Sequence, residues 1–409
     1  MRPPISRTVL ILVAMSAMIL WPQAAHPQSE SSFNRNSDAG EKAYREGRYK
    51  DAELIWLDAW IEAEKFGPND ERLAVALRNL AKAYDAEGQY SQAMPMLQQS
   101  LAIWEKGPHP QSPWAAATMA DLGYLYDEQA DYKKAADLME RALAIVEKSP
   151  DQKLCQLGPL LNNLANVYLD LREYPRAEML LQRSLDLKEK ESGSESSDIA
   201  INLNNLGGVY QHEGDMAKAE RAYRRSLAIY EKLQKPDPNE ESTLNNLGLL
   251  CTDQGKFAEA EYLLNQALSF AEQFQGPDHP ETGVVLSNLA DLYDRQGKSQ
   301  MAEPLRAQVL EIDEKAFAPD NPAIAKALNF LGVTYFYEKK YAQAEDAYDR
   351  ALKIWRDSPA ADPPEIITVL NNEAVLFRVT KREFQAQEVE TQVKALQEKL
   401  STQKPVTAK

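Results

Sequence analysis

The stretch Leu160–Tyr168 reads LLNNLANVY, and two adjacent asparagines, Asn162 and Asn163, stand among residues that are otherwise spaced as one face of a helix. Asparagine is a poor helix-interior residue, because its side chain competes with the backbone for hydrogen bonds. Yet the word returns as LNNLGGVY from Leu203, LNNLGLLC from Leu244, LSNLADLY from Leu286, LNFLGVTY from Leu328 and LNNEAVLF from Leu370. Helix propensity does not account for asparagines that recur in this way.

The recurrence has a fixed period. The leucine in the place of Leu164 falls at Leu80, Leu122, Leu164, Leu206, Leu247, Leu289 and Leu331, with Glu373 in the eighth place, at spacings of 42 residues and once 41. Thirteen residues after each anchor stands an alanine: Ala93, Ala135, Ala177, Ala219, Ala260, Ala302, Ala344 and Ala386. A weaker copy precedes these, with Ala39, Gly40, Gly47, Tyr49, Ala52 and Ala59 in matching places. Each unit reads as two amphipathic helices with apolar residues at three and four spacing. Between them a turn carries Gly88, Gly214, Gly255 and Gly297, which can take the left-handed conformation that ends a helix. Joints such as GPHPQSP, PDPNE, GPDHPE and PDNP separate one unit from the next. One helix pair cannot bury its own apolar face, so the units must stack as an all-α solenoid.

At this level of detail the pattern resembles the tetratricopeptide repeat. Its period and its NNLA, AExL and HP words are similar to the kinesin light chain subtype. The resemblance covers about residues 33–400 and implies a right-handed superhelical solenoid of antiparallel helix pairs, about nine repeats anchored at Ala39, Leu80, Leu122, Leu164, Leu206, Leu247, Leu289, Leu331 and Glu373. The expected organisation is a signal peptide at 1–25, a disordered linker at 26–37, the solenoid at 38–400 and a disordered tail at 401–409.

The signal expectation rests on MRPPISR, which sets Arg2 and Arg7 ahead of the apolar run TVLILVAMSAMIL, with WPQAA after it. That run falls short of the roughly 20 residues of a spanning helix. Export to the periplasm or outside follows, with a membrane tether through an uncleaved signal as the alternative. With 46 Lys and Arg against 62 Asp and Glu, the net charge of -16 argues against nucleic acid and anionic membrane and favours a neutral to basic protein or peptide partner. Of the two cysteines, Cys251 reads as a small buried residue and Cys155 as a loop thiol. They lie two repeats apart, beyond disulfide reach.

Helix geometry places the asparagines. With Leu164 at zero, Leu161, Ala165 and Tyr168 cluster about 50° round the helix, whereas Asn162 falls near about 160° and Asn163 near about 260°, both away from the core. In the family that face lines a concave groove for extended peptides, where asparagines contact the peptide backbone. The resemblance therefore implies ligand contacts at Asn162, Asn204 and Asn245. For the second asparagines, Asn163, Asn205 and Asn246, it favours a bond to the neighbouring repeat. A carboxamide suits a peptide backbone because it both donates and accepts. On the same face stand Asn166 and Asn329, and in the first two full copies Arg78, Lys82 and Tyr124. Phe330, Phe336 and Tyr337 take these positions in the seventh copy and form a candidate aromatic hot spot, unless the segment after Ser401 covers them.

Catalytic constellations are missing. His109 and His279 belong to the joints, His212 has no second His or Cys at ligand spacing, and no phosphate loop or nucleophile elbow occurs. The chain is expected to be no enzyme, with no cofactor, metal or small-molecule substrate. It reads as an exported scaffold that mediates protein-protein interaction, binding an extended peptide or partner segment. The alternative is a self-associating structural solenoid or an accessory subunit of an envelope complex.

Overall fold

The computed structural model describes residues 27–148, 157–193, 195–233, 235–358 and 363–403. The segment read as a signal peptide, Cys155 and the end of the tail lie outside them. The described residues form eighteen helices and no strand. They come in pairs: α1 Pro27–Arg45 and α2 Tyr49–Glu64, α3 Glu71–Ala86 and α4 Tyr90–Lys106, α5 Pro113–Glu128 and α6 Tyr132–Lys148, α7 Leu157–Asp170 and α8 Tyr174–Ser192. Next come α9 Ser197–Glu213 and α10 Met216–Leu233, α11 Glu240–Asp253 and α12 Phe257–Phe274, α13 Pro280–Arg295 and α14 Ser299–Ala316. The last are α15 Pro322–Tyr337 and α16 Tyr341–Asp357, α17 Pro363–Val379 and α18 Glu383–Gln403. The chain divides into two compact units, residues 1–187 and 188–409.

The expected linker is one correction. Residues 27–37 are the start of α1, because Phe33 is an anchor in its own right, buried with Ala59, Ala63, Leu73 and Trp104. At the other end α18 runs to Gln403, past the expected limit of the solenoid.

Each pair is closed by the same turn. Eight residues after the anchor the backbone is left-handed in all nine copies: at Gly47, Gly88, Gly214, Gly255 and Gly297, and also at Ala130, Arg172, Lys339 and Lys381. The next residue donates its N–H to the carbonyl five residues back, as in Gln89 to Tyr84 at 2.8 Å, Asp131 to Tyr126 at 2.8 Å and Lys340 to Tyr335 at 2.9 Å. This bond satisfies one of the orphan carbonyls that every helix end leaves.

Beyond the turn the recurring alanine takes over. Ala93, Ala135, Ala177, Ala219, Ala260, Ala302, Ala344 and Ala386 are all completely buried where the two helices cross. Buried hydroxyls add hydrogen bonds across three of these crossings: Ser100 donates to the Ala74 carbonyl at 2.7 Å, Ser184 to Gly158 at 3.2 Å and Ser226 to Ala200 at 2.8 Å.

The residue after the anchor decides what the second helix can hold. A Cβ at Gly207 would lie 2.4 Å from the Tyr223 ring, and one at Gly332 would lie 2.5 Å from that of Tyr348. Where alanine stands instead, at Ala81 and Ala165, the residue in the tyrosine's place is Leu97 or Leu181. Overpacking a dense core costs about 1–3 kcal/mol. Gly207→Ala should therefore lower the unfolding free energy measured in urea by that order, and Tyr223→Leu in the same chain should recover part of the loss.

Not every core position is apolar. Glu373 occupies an anchor place and is buried, as is Glu241 at the start of α11, and burial raises both carboxyls to about 7. Asp85 and Asp127 are raised to about 6, again mainly by burial. A carboxyl with a raised folded pKa binds its proton more tightly in the native state, so stability falls as pH climbs from about 4.5 to about 7.5. Opposing this at the acid end, Arg224 and Lys256 lower Glu220 to about 2, and that contribution disappears below about pH 4. The urea midpoint should thus be higher at about pH 5.5 than at about pH 8, and Glu373→Gln should flatten the difference.

Candidate interaction face

The odd-numbered helices, first in each pair, present the two positions before the anchor along one face. The structure shows what these positions do. In the second unit, Asn246 donates its Nδ2 to Asn204 Oδ1 at 3.0 Å, Asn288 to Asn245 at 2.8 Å and Asn372 to Asn329 at 2.9 Å. In every case the residue immediately before one anchor donates to the residue two before the preceding anchor. Neighbouring repeats are held together by rungs of paired carboxamides.

These rungs change the expected roles. Asn204, Asn245 and Asn329 were expected to face ligand, but their oxygens accept from the next repeat, and Asn245 and Asn329 are only 8% and 7% exposed. The estimate from one isolated helix omitted the neighbouring repeat, which covers this side. Asn162 and Asn166 are half-buried on α7.

In the first unit the same two positions carry different residues. The rung between α3 and α5 is an ion pair, Arg78 Nε to Asp121 Oδ2 at 2.7 Å. The place opposite Asn79 holds Ser37, whose buried hydroxyl has no hydrogen-bond partner among the described residues, and the place opposite Asn163 holds Ala120. Asn79 and Asn163 have no hydrogen-bond partner among the described residues. Both line a concavity of about 1130 Å³ built mainly by α1, α3, α5 and α7, together with Arg78, Lys82, Asp85 and Tyr124.

The cations of this concavity are engaged. Lys82 bonds Glu41 at 3.2 Å and sits over the Tyr44 ring, and Arg45 also reaches Glu41 at 2.9 Å. With Arg78 held by Asp121, neither of the basic residues singled out from the sequence is left to clamp a carboxylate. Tyr124 lines the concavity with Asp85; burial and the charges of Glu128 and Asp85 push its phenol well above the usual range.

The aromatic positions lie in the second unit. Phe330 occupies a rung place opposite Ser287 and is 45% exposed, while Tyr337 is 66% exposed and Phe336 half-buried beneath it, their rings 5.7 Å apart. Phe330 is backed by a residue that sequence reasoning passed over. Arg306, in the position where the other six of the first seven copies place leucine, methionine or tyrosine, is buried, with its guanidinium 4.7 Å from the Phe330 ring and paired with Asp291 and Asp294. Its signal was a charge at a position that is apolar in the first seven copies apart from this one. Among the described residues no three His, Cys, Asp or Glu side chains converge as metal ligands, and no helix is long and apolar enough to cross a membrane.

The tetratricopeptide repeat pattern matches residues 40–106, 95–148, 156–232, 239–315 and 323–399, nearly the whole solenoid. The chain belongs to the tetratricopeptide repeat family. The fold is a scaffold typical of protein-protein interaction. Among solved structures, BtubC (BKLC) from P. vanneervenii is similar at 20% identity and a TM-score of 0.51, over 58% of this chain and 95% of that one. The apo form of the quorum sensor NprR from B. thuringiensis matches at 16% identity and a TM-score of 0.64, over 90% and 99%. A Rap protein complexed with Competence and Sporulation Factor matches at 15% and 0.59, over 92% and 100%. No curated protein matches the sequence.

Within this tetratricopeptide array the closed and open rungs should differ in stability. Asn245→Ala strands the Asn288 donor and should cost about 0.5–1.5 kcal/mol. Asn79→Ala removes no bond and should cost less than about 0.5 kcal/mol in urea unfolding.

Proposed function

We propose that this chain is an exported scaffold that holds an extended polypeptide segment along the first-helix face of its first unit. The observation that carries the reading is the pair of carboxamides, Asn79 and Asn163, that line the concavity without serving the fold. Each has donors and an acceptor available for the alternating N–H and C=O groups of an extended backbone. The neighbour solved with a factor in complex supports a binding role for folds of this shape. Export is supported by the arginines and apolar run at the N-terminus, with a membrane tether as the alternative form of the same localisation. Nothing in the concavity converges as a catalytic group, so a binding role accounts for its residues without chemistry.

A second reading, self-association or docking of a larger partner, is favoured by the exposed apolar strip of Phe330, Tyr337, Val375 and Val379 in the second unit. The two readings predict different sensitivities. For a peptide selected on the full chain from a displayed random library, Asn79→Ala with Asn163→Ala should weaken binding about tenfold, two hydrogen bonds' worth, with no change in thermal midpoint. Unchanged affinity, with binding lost instead in Phe330→Ser or Tyr337→Ser, would move the function to the second unit.

A further inference from the structure

The charges of the first unit's concavity do not balance locally. Its three basic lining residues, Arg45, Arg78 and Lys82, are all paired, the first and last with Glu41 and Arg78 with Asp121. Two lining carboxylates, Asp38 and Asp85, have no cation partner among the described residues. Asp85 is the more demanding of the two. It is half-buried on α3, and the charged groups that act on it, Asp121 and Glu128 of α5, are of its own sign. Burial, reinforced by those two carboxylates, raises it to about 6, so near neutrality the groove holds an ionised and partly desolvated carboxylate without a counter-charge.

The second observation is independent of charge. Asn79, 8% exposed and without a hydrogen-bond partner among the described residues, lines the same concavity less than two helical turns from Asp85 on α3. An unbonded carboxamide on a buried residue and a half-buried carboxylate without a counter-charge are both unfavourable, and one ligand can relieve both. Such a ligand offers backbone amides to Asn79 and a cation to Asp85. An aromatic ring in the same concavity suits a cation too, since Tyr124 lines it with Asp85, near enough for the carboxylate to act on its phenol, and an aromatic face attracts an ammonium or guanidinium group.

We propose that the segment bound in the first unit is basic at one fixed position, a lysine or arginine whose cationic head sits against Asp85 beside Tyr124 while its backbone is held by Asn79 and Asn163. This deepens the groove reading above and rests on it. An anionic or C-terminal carboxylate partner is disfavoured at this point, because the residues that would receive it, Arg78 and Lys82, are already paired with carboxylates of the fold.

The test is selection of a displayed random peptide library on the full chain, repeated on Asp85→Asn. The expected result is enrichment of lysine or arginine at a single position of the wild-type pool, absent from the Asp85→Asn pool. A selected peptide should lose about tenfold in affinity when that lysine becomes methionine, and as much on Asp85→Asn with the lysine kept. Overall negative charge would enrich basic peptides without positional preference, and one carboxylate fewer would leave that enrichment intact. The thermal midpoint of Asp85→Asn should not fall, since the replacement removes an uncompensated carboxylate; a clear fall would make Asp85 a structural residue and overturn the proposal. Peptides that depend on Asn79 yet carry no fixed basic residue, or a basic preference that survives Asp85→Asn, would also overturn it while leaving the groove reading in place. A library that yields no peptide sensitive to Asn79→Ala would remove both.

Discussion

Everything in this molecule depends on the close crossing of the two helices in each pair. The fully buried alanine thirteen residues after the anchor lets them approach, and the left-handed turn eight residues after it sets the angle at which the second helix returns. Once that crossing is set, the rotation of the first helix about its own axis is set with it. Within each unit, the two positions before an anchor then face the same two positions of the adjacent repeat. The turn is enforced even where no glycine is present: Ala130, Arg172, Lys339 and Lys381 adopt positive φ at a cost of about 1–2 kcal/mol each, which the packing on either side offsets.

From that geometry the asparagines acquire two roles according to what stands opposite. A carboxamide that meets a carboxamide closes a rung and becomes part of the stacking, as in Asn204 with Asn246, Asn245 with Asn288 and Asn329 with Asn372. One that meets serine or alanine keeps its hydrogen-bonding capacity, as Asn79 and Asn163 do. The closed carboxamide rungs lie in the second unit, whereas the unbonded carboxamides line the concavity of the first, beside the Arg78–Asp121 ion pair. Spare hydrogen-bonding capacity among these asparagines is thus the complement of their structural use.

The fold was legible in the sequence because it is written redundantly. A period of 42 residues, an alanine in every copy and proline-bearing joints each specify the same helix pairs. The site was less legible, for a reason visible in particular residues. Facing estimates treat α7 or α11 as an isolated cylinder, and on that basis Asn245 points to solvent; the neighbouring repeat then covers it. Arg78 and Lys82 looked available because their partners, Asp121 and Glu41, lie 43 and 41 residues away in neighbouring repeats. The aromatic positions fared better, since Phe330 and Tyr337 are exposed as their placement suggested. Phe33 shows the reverse failure: one anchor in a polar segment, SESSFNRNS, was too little periodicity to announce the first helix.

The central claim is that the two positions before an anchor form a rung where a carboxamide meets a carboxamide of the neighbouring repeat. The most direct measurement is a double-mutant cycle in urea unfolding between Ala120→Asn and Asn163→Ala, at a rung that is open in this chain. The account predicts that Ala120→Asn closes the rung, with a coupling energy of about 1 kcal/mol that vanishes when Asn163 is alanine. A coupling indistinguishable from zero would contradict it.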